Sequence, residues 1–210
     1  MHKKELVTAG RPAHEAKRCI IFLHGRGATA QDILSLGAHL DVDDFYQVAP
    51  QASNYTWYPY SFLVPPEKNE PWLSSALALL EGLVGDLNAD GFNDNQIYFA
   101  GFSQGACLTL EFVARNTRRW GGVAAFTGGL IGDKLSVEHY RGDFQRTPIF
   151  IGTSDPDIHV PVSRVQETET VLDGLNANVR VIVYPNMGHT IAEDEIENAN
   201  SFVFSGDQRL

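Results

Sequence analysis

The chain has 210 residues, 43% of them hydrophobic, and 26 acidic against 16 basic side chains give a formal net charge of −10. That length supports one well-buried core and a single domain over 1–210, while the acidic balance and scattered lysines and arginines argue against nucleic acid or an anionic membrane surface as partners. The basic residues near the start lead into no apolar stretch, and no run approaches the roughly 18 apolar residues of a membrane span, so a soluble, cytoplasmic protein without stable membrane insertion is expected.

Residues 1–17 carry no periodicity and are expected to be peripheral. CIIFLH (19–24) then reads as a strand, followed by the glycine-bracketed turn HGRG (24–27), and YQVAP (46–50) reads as a second strand. The stretch 52–72, ASNYTWYPYSFLVPPEKNEPW, is aromatic, proline-rich and aperiodic; a loop of that length in a compact domain suits a lid or binding loop over a site. Leu73, Leu77, Leu80, Val84 and Leu87 recur at three- and four-residue steps, which predicts an amphipathic helix over 72–87 opened by Pro71.

QIYFAG (96–101), GVAAFTG (122–128), TPIFIGT (147–153) and VRVIVYP (179–185) complete the predicted strands. All six runs are continuous and not alternating, the pattern of strands buried on both faces. Helices are predicted at 104–117, from Ala106, Cys107, Leu110, Val113 and Ala114, and at 162–175, from Val165 and Leu172. Residues 203–210 are expected to be peripheral. Cys19 and Cys107 have no metal-ligand spacing and read as small core residues. The alternation predicts an α/β fold with a mainly parallel central sheet and helices on both faces, whose ligands sit at the carboxyl ends of the strands.

One such end carries GFSQG (101–105), a serine between two glycines where a strand gives way to a helix. A nucleophile on that sharp turn sits in a strained backbone conformation, and side chains at 101 and 105 would collide with the turn. Ser103 needs a base, and the base needs an orienting group. His189, in NMGHT after the last strand, is the candidate base. His2, His14, His39 and His139 occupy terminal, loop or helix-edge positions, and His24 reads as a structural hydrogen-bonding residue.

The acid is expected in SDPDIHVP after the fifth strand, where Asp155 and Asp157 compete and one of them shapes the turn. Serine, aspartate, histidine is the chain order of α/β hydrolases. Donors for a developing oxyanion are the backbone N–H groups of Gln104, at the start of the nucleophile helix, and of Arg26 in the HGRG turn. The Arg26 side chain either binds an acidic substrate group or is paired structurally.

Together HGRG, GFSQGA, a D-x-H-V-P turn and a late GHT resemble the phospholipase/carboxylesterase family of α/β hydrolases, which includes the acyl-protein thioesterases. The resemblance runs from about residue 18 to residue 200. It implies an α/β-hydrolase fold without a large cap domain, and a serine carboxylesterase or thioesterase acting on small or medium acyl esters through an acyl-enzyme. It implies Ser103 and His189 as nucleophile and base. The family's D-x-x-V-P pattern ends here at Pro161 and selects Asp157, while Asp155 matches the family's spacing from the strand-end glycine. An aromatic pair beside the family's site corresponds to Trp57 and Tyr58; with Phe62 these either contact substrate or pack the loop.

The family's eukaryotic thioesterases usually have leucine where this chain has Arg26; the oxyanion donor there is backbone, so the difference bears on substrate preference and not on catalysis. The resemblance implies no metal or organic cofactor and a small-molecule acyl ester or thioester as partner, while exposed aromatic residues on a small hydrolase leave room for a homodimer. Two other readings keep the fold: a non-catalytic ligand-binding protein, which would normally have lost a triad member, and a dienelactone-type hydrolase, which would normally carry cysteine at 103.

Overall fold

The computed structural model describes residues 1–205. Among them seven strands form one sheet in the order β1-β3-β2-β4-β5-β6-β7. β1 (Leu6–Gly10) lies antiparallel to β3 (Tyr46–Pro50). β2 (Cys19–Leu23), β4 (Ile97–Phe102), β5 (Gly122–Phe126), β6 (Pro148–Asp155) and β7 (Asn178–Pro185) continue it, and all the remaining neighbours pair in parallel. This is the expected α/β architecture.

Period-two alternation divides each central strand between two cores. Ile20, Phe22, Ala100, Ala124, Phe126 and Phe150 face one side, where α1 (Ala30–Leu34) and α5 (Glu193–Ala199) cover them with Ala30, Ile33 and Ala199. Ile21, Leu23, Phe99, Val123, Ala125, Ile149 and Ile151 face the other, under α2 (Trp72–Ala89), α3 (Gln104–Arg115) and α4 (Val162–Gly174). Each fully buried aliphatic or aromatic side chain here contributes about 1.5–3 kcal/mol of transfer free energy.

The structure departs from the sequence expectations at several points. β7 is an edge strand and is only partly buried along its length, because among the described residues no strand pairs beyond it. α3 is not amphipathic: every residue from Gln104 to Ala114 is buried, since the helix runs between the sheet and α2. The N-terminal segment supplies β1, and short α1 and α5 were not foreseen. Val203 and Phe204 are core residues and not peripheral; residues 206–210 of that expectation lie outside the described residues. Cys19 and Cys107 are buried free thiols as expected, and burial pushes both up, Cys107 to about 12. No helix among the described residues is long and apolar enough to cross a membrane.

Candidate active site

The site is built at the carboxyl end of the sheet, starting from the turn between β4 and α3. Ser103 occupies that turn with φ 53° and ψ −117°, a region that non-glycine residues occupy at a cost of about 1–3 kcal/mol. Its N–H donates to the carbonyl of Phe126 on the neighbouring strand at 3.0 Å, which pins the turn to β5. The flanking glycines are steric necessities. A Cβ on Gly101 would meet the Gly105 carbonyl at 2.5 Å, and one on Gly105 would collide with the carbonyl oxygen of Leu23. The turn lifts the hydroxyl off the sheet, and the Ser103 Oγ lies 2.8 Å from His189 Nε2.

His189 comes from the loop after β7. Its Nδ1 is 2.8 Å from Asp157 Oδ2, and because an ionised carboxylate only accepts, Nδ1 carries the hydrogen and Nε2 is left to accept from Ser103. Asp157 Oδ1 accepts the N–H groups of His159 at 2.7 Å and Val160 at 2.8 Å, and its side chain has no exposed surface. Burial by itself would push this carboxyl up; the His189 ring and the two backbone N–H groups outweigh it and hold Asp157 below the usual carboxylate range. Asp155, the rival, is the exposed last residue of β6, and the structure pairs His189 with Asp157 instead. The His189 ring is flanked by Phe102 and His159, with ring centroids at 5.2 and 4.8 Å.

The HGRG turn lies directly against the nucleophile: a Cβ on Gly25 would stand 3.6 Å from the Ser103 Cβ. In that turn the Gly27 N–H, at φ 81°, is spent on the Tyr55 carbonyl and the Ala28 N–H on Gly25. The N–H of Gln104, as first residue of α3, has no intrahelical acceptor. His24 is fully buried; its Nδ1 bonds the Gly25 carbonyl at 2.8 Å and its Nε2 accepts the Ala52 N–H at 3.1 Å, and burial lowers its pKa. It is a structural residue of the turn.

Three parts of the site were not foreseen in the sequence. The Gln104 side chain accepts the Trp57 N–H at 2.9 Å and donates to the Tyr58 carbonyl at 2.8 Å, tying the nucleophile helix to the loop over the site. The Ser154 hydroxyl accepts the Gly188 N–H at 2.9 Å and tethers the His189 loop to β6. His2 spans the loop from the other side, bonding the Trp57 carbonyl and the Ser53 N–H, with its ring against Trp57 and Trp72. Only Gln104 had a signal available, a polar residue at the start of a buried helix.

Ser103 and His189 open onto a groove of about 710 Å3 whose walls include Arg26, Gln104, Tyr58, Phe62 and Val160. Trp57 is not on that wall: it is fully buried, with Nε1 donating to the His24 carbonyl at 2.9 Å, so it packs the loop. Tyr58 and Phe62 are almost wholly buried and line the groove from below. The Arg26 guanidinium donates to the Pro59 and Tyr60 carbonyls at 2.9 and 2.8 Å, which makes it a clasp on the loop. Cys107 also reaches the wall, with its thiol protonated at neutral pH. Among the described residues no cluster of histidine, cysteine, aspartate and glutamate could hold a metal ion.

The strand order, the turn between β4 and α3, and the strand-end loops that bring Asp157 and His189 together define an α/β hydrolase. Residues 4–205 match the family described as Phospholipase/Carboxylesterase, and the chain belongs to it. A phospholipase/carboxylesterase from Dyadobacter fermentans superposes with a TM-score of 0.95 at 53% identity, covering 97% of each chain. Acyl-protein thioesterase 1 of Saccharomyces cerevisiae is 29% identical over 90% of this chain and 92% of its own length. A probable carboxylesterase SOBER1-like of Arabidopsis thaliana is 27% identical over 65% of this chain, which spans about half of that relative, 52%. By class the protein is a serine hydrolase of carboxylic ester or thioester bonds.

Proposed function

We propose that the protein is a carboxylesterase or thioesterase that works through a Ser103–His189–Asp157 triad. The observation that carries this reading is the unbroken hydrogen-bond chain from Asp157 Oδ2 through both nitrogens of His189 to Ser103 Oγ, at 2.8 Å in each link, opening on a groove.

Ser103 Oγ attacks the acyl carbon as His189 Nε2 takes its proton. Asp157 fixes the tautomer and stabilises the imidazolium. The oxyanion is held by the N–H groups of Gln104 and Arg26, the first of them favoured by the α3 dipole. His189 then protonates the departing oxygen or sulfur, and a water deprotonated by the same nitrogen releases the acid and regenerates Ser103. A groove of about 710 Å3 suits small or medium acyl groups. Thioester cleavage is included because the carbonyl chemistry is the same and a relative is named as a thioesterase.

The test is an active-site-directed fluorophosphonate followed by intact-mass and peptide mapping. A single adduct, on Ser103 and absent from Ser103→Ala, is the expected result; labelling elsewhere, or none, would remove Ser103 as nucleophile.

A further inference from the structure

The loop over the site contains a turn that its own side chains do not hold. Asn54 and Tyr55 follow one another at φ 55° and 58°. Asparagine tolerates that left-handed region, whereas a bulky tyrosine occupies it only where the surroundings enforce it. Both side chains are exposed, Tyr55 at 54%, so their packing does not supply the enforcement. Hydrogen bonds on either side of the pair do. His2 Nδ1 accepts the Ser53 N–H at 3.1 Å, and because that nitrogen accepts, the hydrogen sits on Nε2, which donates to the Trp57 carbonyl at 2.9 Å. The backbone N–H of His2 is fixed to Ser75 Oγ on α2 at 2.9 Å, so the brace is anchored outside the loop.

The inner side of the same segment is tied to both turns that supply oxyanion donors. The Tyr55 carbonyl accepts the N–H of Gly27, next to Arg26, at 2.7 Å. The Gln104 side chain bonds the Trp57 N–H and the Tyr58 carbonyl. We propose that neutral His2 is a positioning residue for the hydrolytic reaction, bracing the Asn54–Tyr55 turn and through it the Arg26 and Gln104 N–H groups, and that its protonation releases them. The inference rests on the triad reading above, which makes those N–H groups the oxyanion donors.

A proton on His2 Nδ1 turns the acceptor of the Ser53 N–H into a donor, so that bond must break. The half-buried ring resists the proton: burial lowers its pKa against the opposing bond to the Trp57 carbonyl, and the α-amino group of Met1 acts in the same direction as burial. The ring's other neighbours are His24, itself lowered by burial behind Trp57, and the uncharged Ser53, Trp57, Trp72 and Ser75; among the described residues no carboxylate bonds it. The brace is therefore complete above the ordinary histidine pKa of about 6.5 and is lost as pH falls through the lowered value.

The experiment reads kcat and tryptophan fluorescence against pH in wild type, His2→Ala and His2→Gln. At about pH 8 His2→Ala should lose about threefold to thirtyfold in kcat, less than the roughly 10²–10³ of deleting an oxyanion donor, with KM little changed. His2→Gln, whose carboxamide offers an acceptor and a donor but does not titrate, should restore most of that loss. The ratio of wild-type to His2→Gln kcat should be constant above about pH 7 and fall several-fold below about pH 6, while the His189 limb, common to both, cancels. Wild-type emission should fall with that ratio, relative to His2→Gln, because a protonated imidazole quenches an adjacent indole. A constant ratio down to about pH 5 would overturn the protonation step, and an unchanged kcat in His2→Ala would overturn the positioning role. A rise in KM alone would make His2 a prop of the groove wall and overturn its route to the oxyanion donors. Turnover that survives Ser103→Ala would overturn the triad reading and the catalytic role with it, while the fluorescence difference, which needs no turnover, would still report the brace.

Discussion

Gly105, two residues beyond the nucleophile, packs directly onto the backbone of Leu23 at the end of β2, where any Cβ would collide with the Leu23 carbonyl oxygen. The glycine lets α3 start close against the sheet, which sets the height of Ser103 above it. Gly105→Ala should therefore cost at least about 1–3 kcal/mol through backbone displacement and reduce activity with it. Thermal unfolding and ester turnover check this together; a variant with wild-type stability and rate would mean that the helix has room the structure does not show.

Ser103 itself stores strain at φ 53°. Ser103→Ala should lose about 10⁶ in kcat, as should Ser103→Gly. The two should differ in stability, with glycine higher by about 1–2 kcal/mol because it relieves the backbone. Calorimetry of the two inactive variants reads the difference directly; equal melting temperatures would argue against a strained turn.

Asp157→Asn should cost about 10⁴ in kcat, because the amide can present its N–H₂ to Nδ1 and stabilise the wrong tautomer. Asp155→Asn should stay within a few-fold of wild type. The two backbone donors and His189 hold the Asp157 carboxyl below the usual range. Its contribution to stability is therefore present above the ordinary carboxylate pKa of about 3.9, and is lost only as pH falls through the lowered value. Acid unfolding of Asp157→Asn should lack that component.

Arg26→Leu removes two hydrogen bonds to the carbonyls of Pro59 and Tyr60. The wall from Tyr58 to Leu63 should loosen, raising KM about threefold to tenfold for neutral and anionic esters alike, with kcat less changed. A loss confined to anionic substrates would show that the guanidinium reads substrate charge instead.

Glu195 is fully buried on the face of the sheet that α5 covers, against Gly152, and burial pushes its carboxyl up to about 8. The folded state thus holds a proton that the unfolded state gives up at the ordinary glutamate pKa of about 4.3. This stabilisation is complete below that value and declines as pH rises toward about 8. Glu195→Gln should flatten the decline, which is on the order of a few kcal/mol; parallel stability curves for the two proteins between pH 5 and 8 would show that the carboxyl is not held neutral.

The chemistry was more legible in the sequence than the scaffold around it. Ser103 and His189 were readable because each follows a strand with an apolar run, and the glycines at 101 and 105 mark a turn with no space for side chains. The six parallel strands announced themselves by continuous apolar runs. β1 did not, being a short exposed edge strand held by backbone bonds to β3, and β7 looked interior because its valines give no sign of which strand pairs beyond it. The choice between Asp155 and Asp157 is a matter of where a loop turns, which spacing alone left open. Trp57 looked like a substrate contact because aromatic residues serve cores and pockets equally. The clasps from Gln104, Arg26 and His2 onto the loop join residues tens of positions apart and leave no local pattern.

The central claim is that Ser103 performs the reaction, and the most direct measurement is the initial rate on p-nitrophenyl esters of increasing acyl length, wild type against Ser103→Ala. The account predicts turnover on short and medium chains, falling once the acyl group outgrows the groove, and none above background in the variant. Equal rates for the two proteins, or no turnover by the wild type on any ester, would contradict it.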